Sequence, residues 1–157
     1  MVKSGGNVPA FSGKYYYTVD PKGRIIIPAP FRDIITNNYS TKLYITNAPI
    51  DQCLRIYPAE EWNRLHEKVR TKPSSDKHMK FFLRRVIGSA VETDMDKQGR
   101  VLVPVALRED ANINSNVVIV GQVDRIELWD RDEWDKLVDL SQIDKESMEE
   151  GLAALGF

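Results

Sequence analysis

Apolar and polar positions alternate from Tyr15 to Val19, with Tyr15, Tyr17 and Val19 on one face, which predicts a strand. A short aliphatic run follows at Ile25–Ile27 and recurs at Val101–Val103. Each is too short for a helix and suits a buried strand. Pro28 and Pro104 lack the N–H a ladder needs but are preorganised for a first helical turn, so short helices should open over 28–33 and 104–109. Two more pairs of strands are predicted. Leu43–Thr46 and Leu54–Tyr57 flank the loop Asn47–Gln52, and Val117–Val120 and Ile126–Trp129 flank a shorter turn starting at Gly121.

The period then changes to that of a helix. Trp62, Leu65 and Val69 follow Pro58 and the acidic pair Glu60 and Glu61, while Trp134, Leu137 and Val138 follow a capping-box pattern, Asp130 with Glu133. Both tryptophans read as equivalent core anchors. A connecting helix is predicted from the stripe Met79, Phe82, Leu83, Val86, Ile87, capped by Ser74 or Ser75 and closed at Gly88, with Lys77, Lys80, Arg84 and Arg85 on its other face. The stretch from Ser141 to Phe157 carries a sparse stripe, Met148, Leu152 and Leu155, consistent with a weak helix.

These elements repeat. Asp20 and Asp96, Gly23 and Gly99, Arg24 and Arg100, Pro28 and Pro104, and Arg32 and Arg108 are all 76 positions apart (96 − 20 for the first pair). Five unlike residue types holding one offset mark an internal duplication, which governs the fold. The tryptophans Trp62 and Trp134 are 72 apart (134 − 62), so the second copy is four residues shorter, a loss that loops tolerate. In the first copy Asp20, Pro21 and Gly23 are the residues a tight turn demands, and they put Lys22 and Arg24 at its tip. The run from Tyr15 to Val19 is expected to pair with Arg24–Ile27 across this turn. Units this small are marginal alone, so the two copies should dock on each other, and the whole should form an oligomer.

Composition narrows the class. The 157 residues are 42% hydrophobic and 29% charged, ordinary for a globular protein. With 22 basic and 23 acidic residues there is no global pull toward nucleic acid, so such binding has to come from a local concentration of Lys and Arg. Cys53 is the only cysteine, which excludes an intrachain disulfide and a cysteine-based metal knuckle. No run approaches the length of a membrane span or a signal-peptide core, so a cytosolic location is expected. Residues 1–10 read as a flexible lead-in without functional residues.

Enzymatic constellations are mostly absent; Asp20 and Asp96 could be imagined as a paired acid and base, but turn formation explains each one locally. His66 and His78 lie on charged stretches without a partner that would make either a general base, and both read as solvated surface. Cys53 reads as a small buried hydrophobe. The glycines match neither a phosphate loop nor a dinucleotide fingerprint, and no catalytic, metal-binding or cofactor-binding residue is assigned. The turns are the better candidates. They admit two readings of equal weight: Asp20 and Arg24 as a surface ion pair worth about 0 to 1 kcal/mol, or two hairpin tips, bearing Lys22, Arg24, Lys97, Gln98 and Arg100, that enter a DNA major groove where Arg reads guanine.

The paired motifs Asp20-Pro-Lys-Gly-Arg24 and Asp96-Lys-Gln-Gly-Arg100, each running through an aliphatic strand to Pro and then Arg, resemble the MraZ family, of the AbrB-like swapped-hairpin class. The resemblance covers Phe11 to about Leu140. It implies an α+β fold of two tandem pseudo-symmetric halves whose interleaved β-hairpins form a small barrel with flanking helices. On that pattern the lead-in is 1–10, the first half 11–72, the connecting helix 73–90, the second half 91–140 and the tail 141–157. The resemblance further implies a bacterial transcriptional regulator, cytoplasmic and nucleoid-associated, that needs no cofactor and no membrane. It would bind double-stranded DNA at direct repeats upstream of its own division and cell-wall gene cluster, as a ring-like homo-oligomer, octameric in the family.

Carried over by position, the DNA-binding residues are Lys22, Arg24, Lys97, Gln98 and Arg100, the turn is made by Asp20, Gly23, Asp96 and Gly99, and Arg32 and Arg108 are accessory contacts. Two departures stand out: the residues before Phe11, and Gln98 where the first copy has Lys22. The rival reading is an oligomeric adaptor whose arginines anchor a protein partner.

Overall fold

A computed structural model describes residues 8–157. The expected lead-in therefore lies outside the described residues over 1–7, and Val8 already packs on the core. The described residues form eight strands and six α-helices, an α+β fold. In order these are β1 Lys14–Thr18, β2 Arg24–Ile26, α1 Ala29–Asn38, β3 Lys42–Asn47, β4 Leu54–Pro58, α2 Ala59–Arg70 and α3 Lys77–Arg85. Then come β5 Val91–Asp94, β6 Arg100–Leu102, α4 Val105–Asp110, β7 Asn116–Gly121, β8 Ile126–Asp130, α5 Arg131–Leu137 and α6 Lys145–Ala154.

Six strands make one antiparallel sheet in the order β1-β7-β8-β4-β3-β5, while β2 and β6 pair only with each other. The pairings leave the six-stranded sheet open, with β1 and β5 at its edges, rather than closed into the expected small barrel. The expected partner of Tyr15–Val19 is also corrected: β1 pairs with β7, from Lys14↔Val120 to Thr18↔Asn116, and not with Arg24–Ile27. Length explains the choice. All five residues of β1 find partners in β7, whereas β2 offers three before Pro28, and those three are already paired to β6 as Arg24↔Leu102, Ile25↔Val101 and Ile26↔Arg100. On the other edge β5 pairs with β3, so the first strand of each sequence copy is hydrogen-bonded to the other copy.

One face of the sheet packs on the ribbon and on α1 and α4. Leu43, Ile45, Leu54, Ile56, Ile119 and Leu128 meet Ile25, Ile27, Val101, Val103, Phe31 and Ile35 there, all buried. Burying each such side chain contributes roughly 1.5 to 3 kcal/mol. Phe11 closes one end, edge-on to Phe31 at 5.6 Å between ring centroids. The opposite face carries two smaller clusters: Trp62 with Tyr57 and Val86, and Trp129 with Cys53, Val118 and Val120.

The tryptophans are not equivalent. Trp62 is 3% exposed and stacks on Tyr44, but Trp134 is only partly buried, edge-on to Trp129 at 6.0 Å. Leu137 on the same short helix and Val138 just past its end are exposed at 51% and 46%, and Trp129 on β8 takes the core position. Capping differs from expectation as well. The cap of α3 is Asp76, which accepts the N–H groups of His78 and Met79, because Ser74 and Ser75 lie too far upstream to reach them. Asp130 caps α5 through the Asp132 N–H, and Glu133 pairs with Lys136 instead of completing a box. The tail does form a helix, α6, with Met148 and Leu152 about half exposed.

Candidate functional site

Each Asp-x-x-Gly-Arg turn is folded by its own aspartate. Asp20 Oδ1 accepts the N–H groups of Lys22 at 2.9 Å and Arg24 at 2.8 Å, and Oδ2 accepts Arg24 Nε at 2.7 Å. Asp96 repeats this with Gln98 N–H at 2.9 Å, Arg100 N–H at 2.8 Å and Arg100 Nε at 2.9 Å. Backbone bonds from Gly23 N–H to the Asp20 carbonyl and from Gly99 N–H to the Asp96 carbonyl close the turns. The donors favour the ionised carboxylates. The Arg24 and Arg100 backbone N–H groups lead in holding Asp20 and Asp96 below the usual carboxylate range; desolvation opposes them, and the guanidinium groups add a further lowering.

Glycine is required at both turns. Gly23 and Gly99 have φ of +83° and +80°, where side chains are strained, and each lies under an arginine from the opposite copy. A Cβ on Gly23 would sit 2.8 Å from Arg108 Nη2, and one on Gly99 would overlap the Arg32 side chain at Cδ. Arg32 Nη1 donates to the Gln98 carbonyl at 3.2 Å and Arg108 Nε donates to the Val103 carbonyl at 3.1 Å. Helices α1 and α4 thus brace the turns crosswise. The ribbon adds bonds from Ile27 N–H to the Gly99 carbonyl and from Val103 N–H to the Gly23 carbonyl.

Register decides what the ribbon displays. Opposed residues in an antiparallel pair point to the same side, so Arg24 with Leu102 and Ile26 with Arg100 share the outer face, and Ile25 with Val101 faces the core. The turns leave at opposite ends of the ribbon, because Arg24 begins β2 opposite the last residue of β6. They are not hairpin tips, since β1 and β2 have different partners. Of the expected residues, Arg24 and Arg100 share one face of the ribbon with side chains 27% and 31% exposed, while Lys22, Lys97 and Gln98 are exposed in the turns at its two ends. Lys22 and Lys97 make no ion pair among the described residues.

The two arginines differ in one respect. Among the described residues the Nη groups of Arg24 have no hydrogen-bond partner, while Arg100 Nη2 is held by Gln98 Oε1 at 2.8 Å. Sequence reading missed two members of this surface. Ile26 and Leu102 belong to runs expected to be wholly buried, yet they are 41% and 52% exposed. A three-residue strand of aliphatics carries no polar alternation that would reveal which residue faces out.

Elsewhere the chemistry is sparse. Cys53 is buried and its thiol is pushed up, first by desolvation, so it is a packing residue. His78 is exposed with Nδ1 3.3 Å from Asp76 Oδ1, and His66 is partly buried against Trp62 rather than solvated. Among the described residues no group of His, Cys, Asp and Glu is arranged to hold a metal ion, and no helix is long and apolar enough to cross a membrane.

Comparison with known proteins adds a family to this geometry. The model of the family described as "MraZ protein, putative antitoxin-like" matches twice, over residues 10–85 and 86–154. Proteins named "Transcriptional regulator MraZ" are similar over nearly the whole chain. That of Acetivibrio thermocellus is 38% identical over 146 residues, covering 93% of this chain and 99% of the relative. Those of Clostridium tetani and Clostridium beijerinckii are 40% and 39% identical, again over 93% of this chain and 99% of each relative.

Proposed function

This chain belongs to the MraZ family, and on that premise we propose that it is a sequence-specific DNA-binding transcriptional regulator of a bacterial division and cell-wall gene cluster. The observation that carries the reading is the ribbon. It sets Arg24 and Arg100 on one exposed face, with Lys22 and Lys97 at its two ends. A two-stranded ribbon fits the major groove, where arginine donates to guanine, and the lysines are suited to the flanking phosphates. Each aspartate pre-orders its arginine, which lowers the entropy lost on contact.

Charge bears on assembly. With a net charge of −1, one chain offers few phosphate contacts, which support only weak binding at physiological salt. Several ribbons presented together by a ring-like homo-oligomer, octameric by family, supply the missing avidity. Subunits in a ring are related by rotation, so the target is a direct repeat upstream of the gene cluster, and the protein works at the nucleoid in the cytoplasm. We divide the chain accordingly into AbrB-like halves 11–72 and 91–140 with interleaved hairpins, joined by 73–90 and followed by the tail 141–157.

Footprinting the purified protein on DNA upstream of its own gene, over a salt series, tests the reading. Protection that weakens steeply with salt is expected, because phosphate contacts release counterions. A protein-binding adaptor leaves that DNA unprotected.

A further inference from the structure

We propose that Ile26 and Leu102 form an apolar reading head that takes the methyl groups of thymine in the major groove, so that the target contains thymine between the positions read by Arg24 and Arg100. The inference rests on the DNA-binding reading and specifies what the outer face of the ribbon recognises besides guanine.

Ile25 and Val101, one position away, are 1% exposed, so the ribbon had a buried face available, yet Ile26 and Leu102 are 41% and 52% exposed on the other. Neither Ile26 nor Leu102 belongs to, or packs against, any of the three hydrophobic clusters. Register then sets the pair on the same face as the two arginines. Arg24 lies opposite Leu102 and Ile26 opposite Arg100, so the four side chains form a block with the cations on one diagonal and the aliphatics on the other.

That arrangement selects its occupant. Two guanidinium groups within the same block, with Lys22 and Lys97 beyond it, favour a surface that is anionic and rich in acceptors while offering apolar groups between them. The major groove is such a surface. Its guanine edges and phosphates suit the cations, and the thymine C5-methyl is its apolar group, contacted by aliphatic side chains. The apolar subunit face of a second copy would leave the flanking charges to be buried with it.

The test uses the full chain and the duplex defined by footprinting upstream of its gene. Each thymine in the footprint is replaced singly by deoxyuridine, which keeps base pairing and removes only the methyl. At one or more thymines lying between protected guanines, affinity should fall about fourfold, the equilibrium equivalent of one apolar carbon lost from contact. In the doubly substituted chain, Ile26→Ala with Leu102→Ala, the same deoxyuridine should have no further effect. Undiminished affinity at every thymine, or an equal loss in parent and variant, overturns the inference while leaving DNA binding standing. Absence of any footprint fails the underlying reading and the inference with it. A change of mass in light scattering for the variant, with the deoxyuridine effect unchanged, would assign the pair to a contact between copies.

Discussion

Arg32 on α1 lies across Gly99 in the turn of the other sequence copy, so closely that a Cβ on Gly99 would overlap its Cδ. Arg108 lies across Gly23 in the same way, with its guanidinium end nearest. These two arginines were expected as accessory DNA contacts, and the fold uses them to brace the turns that carry Arg24 and Arg100. The crosswise contact makes each turn dependent on the opposite copy.

Replacing these glycines tests the brace. Gly99→Ala and Gly23→Ala should each cost about 1 to 2 kcal/mol from the left-handed backbone alone. Gly99→Ala should cost more, since it displaces the middle of the Arg32 side chain, whereas the end of Arg108 can swing away. Urea unfolding of both variants measures this. Stabilities equal to the parent would mean the turns are not strained at these positions.

Removing the reading arginines should separate binding from folding. Arg24→Ala and Arg100→Ala should each lose about 1 to 3 kcal/mol of specific DNA affinity. Both side chains are partly exposed and bonded within their own turns, so thermal unfolding and molecular mass should stay close to the parent. Retention of full affinity by both variants would remove these turns from the interface.

The tryptophans should behave unequally. Trp62→Ala removes a ring stacked on Tyr44 and packed on Tyr57, at a cost of about 3 to 5 kcal/mol. Trp134→Ala removes a partly buried ring and should cost about 1 to 2 kcal/mol. Equal losses by chemical denaturation would show that α5 is more deeply packed than its exposure suggests.

Acid should loosen both turns. Asp20 and Asp96 are held below the ordinary aspartate value, so their contribution is complete above about pH 4 and is lost as pH falls through the lower folded value. Carboxyl-carbon NMR titration should show both residues ionising below an unfolded reference. In Arg24→Ala, Asp20 should remain depressed, because the leading cause is the backbone N–H of residue 24, which alanine keeps. A return of Asp20 to the unfolded value in that variant would instead make the guanidinium the main cause.

Spacing of the target tests the rotational arrangement. Direct repeats should recur near one helical turn, about 10 base pairs, so that successive ribbons meet one DNA face. Inserting about half a turn between repeats should weaken binding far more than inserting a full turn. Equal affinity for both insertions, or full binding to a single repeat, would exclude cooperation between ribbons.

Much of this protein was determined locally, and local chemistry is legible in a sequence. The Asp, Pro and Gly of the turns, the prolines that end β2 and β6, and the helical spacing behind Trp62 each act over a few residues, so the elements and the duplication could be read directly. Each aspartate folds its own turn, so the conformation of each turn was legible from five consecutive residues. Tertiary structure decided the partners. Nothing within Lys14–Thr18 says that it will pair with β7 instead of the nearer β2, since that depends on β6 having already taken the three residues β2 can offer. The same long-range choice turns Ile26 and Leu102 outward and lays Arg32 over Gly99. It also gives Trp129, rather than Trp134, the buried position. Such outcomes rest on competition between surfaces far apart in the chain, and a residue's own neighbours carry no record of that competition.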